Sequence, residues 1–79
     1  MDDDLLTVVI AARNEAEALP RLHPRIAATL DGMTGLRTRV LYVDDGSADD
    51  TWLVMQRLAA TDARVSLLRL SRNFGKEAA

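Results

Sequence analysis

Three short apolar runs alternate with two stretches of helical periodicity, and that alternation limits the chain to very few folds. The first run, Leu5–Ala12 (LLTVVIAA), is unbroken and rich in β-branched residues. Continuous apolarity of this length suits a strand covered on both faces, as in a parallel sheet. A second run occupies 39–43 (RVLYV) and a third Val65–Leu70 (VSLLRL). Between the first two, Leu19, Leu22, Ile26 and Leu30 recur at spacings of three and four, which predicts a helix over 19–30. Thr51, Val54, Met55 and Leu58 share one face of a second predicted helix over 48–61. Strand, helix, strand, helix, strand predicts parallel strands joined by right-handed crossovers. That is half of a doubly wound α/β domain.

Local signals punctuate this frame. Asn14 with Glu17 three residues later is a helix-start signature, and Ser47 with Asp50 repeats it. Pro20 fits a first turn, whereas Pro24 removes a helix hydrogen bond and predicts a late start or a kink. Asp31, Gly32 and Gly35 stop the first helix. Glu77, Ala78 and Ala79 begin another helix with no stop signal, and the third strand has a long apolar edge. Both features point to a fragment of a larger domain.

The bulk properties exclude several classes. Seventy-nine residues make one small domain of modest stability. A net charge of -2 gives no electrostatic footprint for nucleic acid. The absence of cysteine rules out disulfides and thiolate metal sites. The acidic start Met1, Asp2, Asp3, Asp4 is not a secretory signal, and no apolar run approaches the ~20 residues that span a bilayer. The expected location is cytoplasmic, at the cytoplasmic face of the membrane where a longer parent carries an anchor.

Parallel strands all end on one side, so the polar clusters that follow them converge on one rim. These clusters are Arg13, Asn14 and Glu15; then Asp44, Asp45, Gly46 and Ser47; then Ser71, Arg72 and Asn73. Open α/β sheets bind ligands at that rim. Adjacent strand residues point to opposite faces, so Asp44 and Asp45 have different tasks. One can accept a hydrogen bond from a nucleobase N–H while the other holds the turn. Gly46 allows close backbone approach. Turn chemistry alone also accounts for these four residues, and it is their convergence with the other clusters that favours a site.

The other candidates carry alternatives too. Residues 71–76 offer Arg72 and Lys76 at a helix start, which suits phosphate binding or a solvated basic loop. They are not a P-loop, because Leu70 stands where that motif needs glycine and Glu77 follows Lys76. Arg13 and Glu15 either touch a ligand or flank a capping Asn14 in solvent. His23, Trp52 and Met55 read as packing residues. No His or Cys cluster supports a metal, and no Ser/His/Asp arrangement is visible.

Val8, Val9, Ile10, then Arg13, Asn14, Glu15, then Val43, Asp44, Asp45, Gly46, Ser47 with Asp49, resemble the opening of family 2 glycosyltransferases, which have the GT-A fold. The run LSRNFGKEAA over 70–79 resembles the polyprenyl-phosphate branch, which includes dolichyl-phosphate mannosyltransferases and bactoprenol glucosyltransferases. The resemblance implies that 1–79 is the N-terminal, nucleotide-binding part of such a domain: a β-α-β-α-β parallel, Rossmann-like half, truncated. It implies that Ala11, Arg13 and Glu15 line the nucleoside pocket and that Asp45, with Asp44 and Gly46 beside it, bonds the base. Arg72 would lie by the ribose or phosphates. Ala11 departs from the proline that many relatives have there.

The resemblance further implies a UDP- or GDP-linked sugar as donor, a polyprenyl phosphate as acceptor, and transfer with inversion. The family's Asp-x-Asp motif, which holds Mg²⁺ or Mn²⁺, falls in the next element. No catalytic or metal-binding residue is therefore expected in 1–79, and the chain alone is expected to be inactive. The alternative is a non-catalytic α/β nucleotide-binding module. A dehydrogenase-like module would need G-x-G-x-x-G, but 11–14 holds no glycine. A receiver domain would place paired aspartates after the first strand, not the second.

Overall fold

The computed structural model describes residues 4–70. They form β1 (Leu5–Ala12), α1 (Leu19–Asp31), β2 (Arg37–Asp45), α2 (Thr51–Thr61) and β3 (Val65–Leu70). The strands make one parallel sheet in the order β1-β2-β3, as the alternation predicts. β2 extends past its apolar run at both ends. Pairing sets those limits: Leu5 lies beside Arg37, Ala12 beside Asp44, and Leu70 beside Asp45. The Arg37 N–H donates to the Asp4 carbonyl at 3.1 Å, which closes the foot of the ladder.

Cover on both faces of the sheet is not found among the described residues. Leu6, Val8 and Ile10 pack on the core, while Thr7, Val9 and Ala11 alternate with them and are exposed. Val9 is 61% exposed and Leu68, on the same face, 47%. The strand order steps twice in the same direction, so two right-handed crossovers deposit both helices on one side. The core therefore lies between that side and the helices. Val40 and Tyr42 supply its centre, Leu19 and Leu30 come from α1, and Met55 comes from α2. Each fully buried side chain of this size contributes about 1.5–3 kcal/mol.

α1 starts at Leu19 with Pro20 in its first turn and runs through Pro24. It does not start late. Pro24 simply has no N–H to offer the Pro20 carbonyl one turn back. The expected Asn14–Glu17 capping box does not form, because no side chain caps this helix. The Glu15 carbonyl accepts the Leu19 N–H instead, at 3.0 Å.

The apolar stripe of α1 is also shifted. Leu22 is 39% exposed, and the buried position beside Leu19 belongs to His23. The His23 Nδ1 lies 2.6 Å from the Tyr42 hydroxyl and its Nε2 lies 3.0 Å from Asp62 Oδ2. A neutral imidazole serves both at once: Nδ1 accepts the phenol proton and Nε2–H donates to the carboxylate. Arg64 donates to Asp62 from its backbone N–H and its Nε, each at 3.0 Å, and reaches Asp31 at 2.8 Å. His23 is thus a structural residue, joining β2, α1 and the turn before β3. Burial, then the Asp62 charge, pushes the Tyr42 hydroxyl up to about 12. The Arg64 side-chain hydrogen bonds, ahead of its backbone bond and the one from His23, hold the Asp62 carboxyl well below the usual range.

Candidate functional site

The β1–α1 and β2–α2 loops meet at the C-terminal rim of the sheet and are laced together. The Asn14 N–H donates to Ser47 Oγ at 2.9 Å, and the Ala48 N–H donates to Asn14 Oδ1 at 2.8 Å. Asn14 adopts φ 56°, a left-handed conformation that asparagine tolerates better than most residues. This torsion turns both its backbone and its amide toward the neighbouring loop. One residue on, the Glu15 N–H donates to Thr51 Oγ1 at 2.8 Å, and the Ala16 N–H donates to Asp49 Oδ2 at 3.3 Å. Asp49 Oδ1 accepts from the Thr51 N–H at 3.0 Å and from the Thr51 hydroxyl. The Thr51 hydroxyl, with help from the backbone N–H groups of Thr51 and Ala16, holds the Asp49 carboxyl below its ordinary range.

This arrangement corrects the second capping pattern. α2 begins at Thr51, Asp50 makes no capping bond, and Ser47 serves the other loop. Sequence reasoning placed Asp49 only in the resemblance and Thr51 only on a helix face, and missed the contacts by which they hold the β1–α1 loop. The available signal was a hydroxyl residue on an otherwise apolar helix face, two positions after an aspartate.

The paired aspartates separate as adjacent strand residues must. Asp44 faces the helices and is fully buried. Its Oδ1 accepts the Ser47 N–H at 3.0 Å, so it holds the loop from beneath. Its Oδ2 has no hydrogen-bond partner, and the Arg69 Nε lies 3.8 Å away. Asp45 follows on the strand, is half-buried, and belongs to the opposite face. Gly46 then adopts φ 76°, a region where a side chain would be strained.

Ala11, Arg13 and Glu15 line one cavity of about 200 Å³, together with Leu19 and Leu22 of α1. Asp44 and Asp45 end β2, Gly46 opens the loop that follows, and none of the three lines this cavity. Two of the three expected clusters are therefore joined at one rim by hydrogen bonds. The third, including Arg72, lies outside the described residues, although β3 ends beside Asp45 and so leads toward the same rim.

The described residues do not fit the divalent metal that the resemblance implies. They contain no group of three or more His, Cys, Asp or Glu side chains that could hold an ion. Among the described residues, the one buried carboxylate oxygen without a hydrogen-bond partner, Asp44 Oδ2, faces a guanidinium rather than a second anion.

The class follows from this geometry: an open parallel α/β protein whose polar loops gather beyond the strand ends. Residues 7–79 match the family described as glycosyl transferase family 2. The chain belongs to that family. It is 35% identical over 80 residues to an undecaprenyl-phosphate 4-deoxy-4-formamido-L-arabinose transferase of Sodalis glossinidius, covering all of this chain and 24% of the relative. It is 31% identical over 74 residues to a prophage bactoprenol glucosyl transferase homolog of Escherichia coli K12, covering 94% of this chain and 24% of the relative. A bactoprenol glucosyl transferase of Shigella phage SfX gives the same identity and coverage. The chain thus spans about a quarter of the length of these curated relatives. No described helix is long and apolar enough to cross a membrane.

Proposed function

We propose that this chain forms the nucleotide-binding part of a glycosyltransferase that moves a sugar, with inversion, from a UDP- or GDP-linked donor to a polyprenyl phosphate. One observation carries the reading: the loops after β1 and β2 are tied into a single rim, with Asp45 on the face opposite the buried Asp44. A carboxylate there accepts a hydrogen bond from a base N–H, such as N3–H of uracil. Ala11, Arg13 and Glu15 line a cavity at the β1 end of that rim, where a nucleoside can lie. Gly46 leaves the loop backbone open to close approach, and Arg72 supplies charge for the phosphates. The names of the relatives support a polyprenyl-phosphate acceptor and a sugar donor. In a longer parent, Mg²⁺ or Mn²⁺ bound elsewhere would offset charge on the leaving diphosphate. The work of this segment is to hold the base and ribose.

The test is calorimetric titration of UDP and GDP into the protein and its Asp45→Ala variant. The variant is expected to bind more weakly by ~1–3 kcal/mol, the cost of leaving a base N–H unpaired. Equal affinity for the two proteins removes Asp45 from the site. Absence of binding to the unaltered protein removes the nucleotide.

A further inference from the structure

Asp44 presents an unusual balance. A fully buried carboxylate is costly unless its oxygens are satisfied, yet only Oδ1 has a hydrogen bond. Arg69 is its direct neighbour across the β2–β3 ladder, on the same face of the sheet. The Arg69 Nε stands 3.8 Å from Asp44 Oδ2, and its guanidinium lies over the Trp52 ring at 5.3 Å from the centroid. Trp52 belongs to the first turn of α2. The cation is therefore pinned between the buried anion and an aromatic face beside the loop that Asp44 holds.

We infer that Arg69 is a positioning residue: through Asp44 it fixes the Gly46–Ser47 loop, and with it the rim proposed to hold the nucleotide. The chain of contacts is short. Arg69 attracts Oδ2, which leaves Oδ1 aimed at the Ser47 N–H. Ser47 Oγ in turn accepts the Asn14 N–H, so one guanidinium on β3 sets the relative placement of both rim loops. Without that charge, the buried carboxylate has reason to turn toward solvent and release Ser47. Arg69 is 57% exposed on its side chain, so its removal does not open the core. This inference rests on the nucleotide-binding reading for its ligand, but not for the loop contact itself.

The test compares Arg69→Met, which keeps the aliphatic stem on Trp52, with Arg69→Lys, which keeps the charge. Amide hydrogen exchange at Ser47 and Asn14 is measured against ladder amides of Val8 and Tyr42, and UDP and GDP affinities are measured alongside. Arg69→Met is expected to lower protection at Ser47 and Asn14 roughly two- to fivefold relative to the ladder, the size of a partly screened ion pair. Nucleotide affinity is expected to fall by about the same factor, and Arg69→Lys to restore both.

Unchanged Ser47 protection overturns the inference, and so does a loss shared equally by every amide, which is a general loss of stability. Selective loss of protection with unchanged affinity overturns the role toward the ligand. Selective loss in a protein that binds neither nucleotide upholds Arg69 as the holder of the loop and refutes the nucleotide reading instead.

Discussion

Asn14→Ala removes two separable contributions from the rim. The first is the bond from the Ala48 N–H to Asn14 Oδ1, at 2.8 Å and exposed, which carries about 0.5–1.5 kcal/mol net. The second is tolerance of φ 56°. A left-handed torsion costs an ordinary residue roughly 1–2 kcal/mol, less for asparagine and least for glycine. The alanine variant is therefore expected to lose about 2 kcal/mol of unfolding free energy. Asn14→Gly loses the same hydrogen bond but accepts the torsion, and is expected to lose only about half as much. Asn14→Asp keeps an acceptor and a tolerant backbone and is expected to stay within about 0.5 kcal/mol.

Urea unfolding resolves these differences, because a chain of this size has only about 4–12 kcal/mol in total. Equal losses for alanine and glycine would show that the torsion carries no energy. Losses near zero for both would show that the two loops are not tied through this residue at all.

Two further predictions concern pH. The Tyr42 hydroxyl is raised to about 12 from its usual 10.0, so the fold favours the neutral phenol. That stability is complete below the unfolded value and is lost as pH rises through the folded one. Tyr42→Phe should abolish this alkaline loss in thermal melts while costing about 1–3 kcal/mol at neutral pH, where the buried His23 Nδ1 loses its donor. An unaltered alkaline limb would place the titration elsewhere. Asp62 has the opposite sign: its folded carboxyl is depressed, so its contribution is present above about pH 4 and disappears as pH falls below that. Asp62→Asn should flatten the acid limb of stability, and an acid limb as steep as before would mean that Arg64 does not hold this group.

The elements themselves were legible because each reports a period. The apolar runs mark β1 and β3 well, and the spacing of Leu19, Ile26 and Leu30 marks α1. The helix starts were misread for one physical reason. Asn14 and Ser47 carry capping chemistry, but their partners lie 33 or 34 residues away in the other loop, a relation no local pattern contains. β2 was read too short because pairing, not apolarity, carries it from Arg37 to Asp45. Two-sided burial is not met among the described residues, because strand order decides where crossovers land. That Asp44 and Asp45 differ followed from the pleat. Which of them is buried depended on which side α1 and α2 occupy.

The repeated aspartate also bears on folding fidelity. Sliding β2 by one residue along β1 would exchange the two faces of the strand, yet the slip that moves Asp45 into the place of Asp44 would replace one carboxylate with another there. That position cannot by itself tell a correct ladder from a slipped one. The neighbours can: a slip would swing the Tyr42 phenol away from the His23 imidazole and bring Val43 inward in its place. The His23–Tyr42 bond thus works as a key that admits a single alignment. An error there would be felt at the distant rim as the wrong acid turned outward.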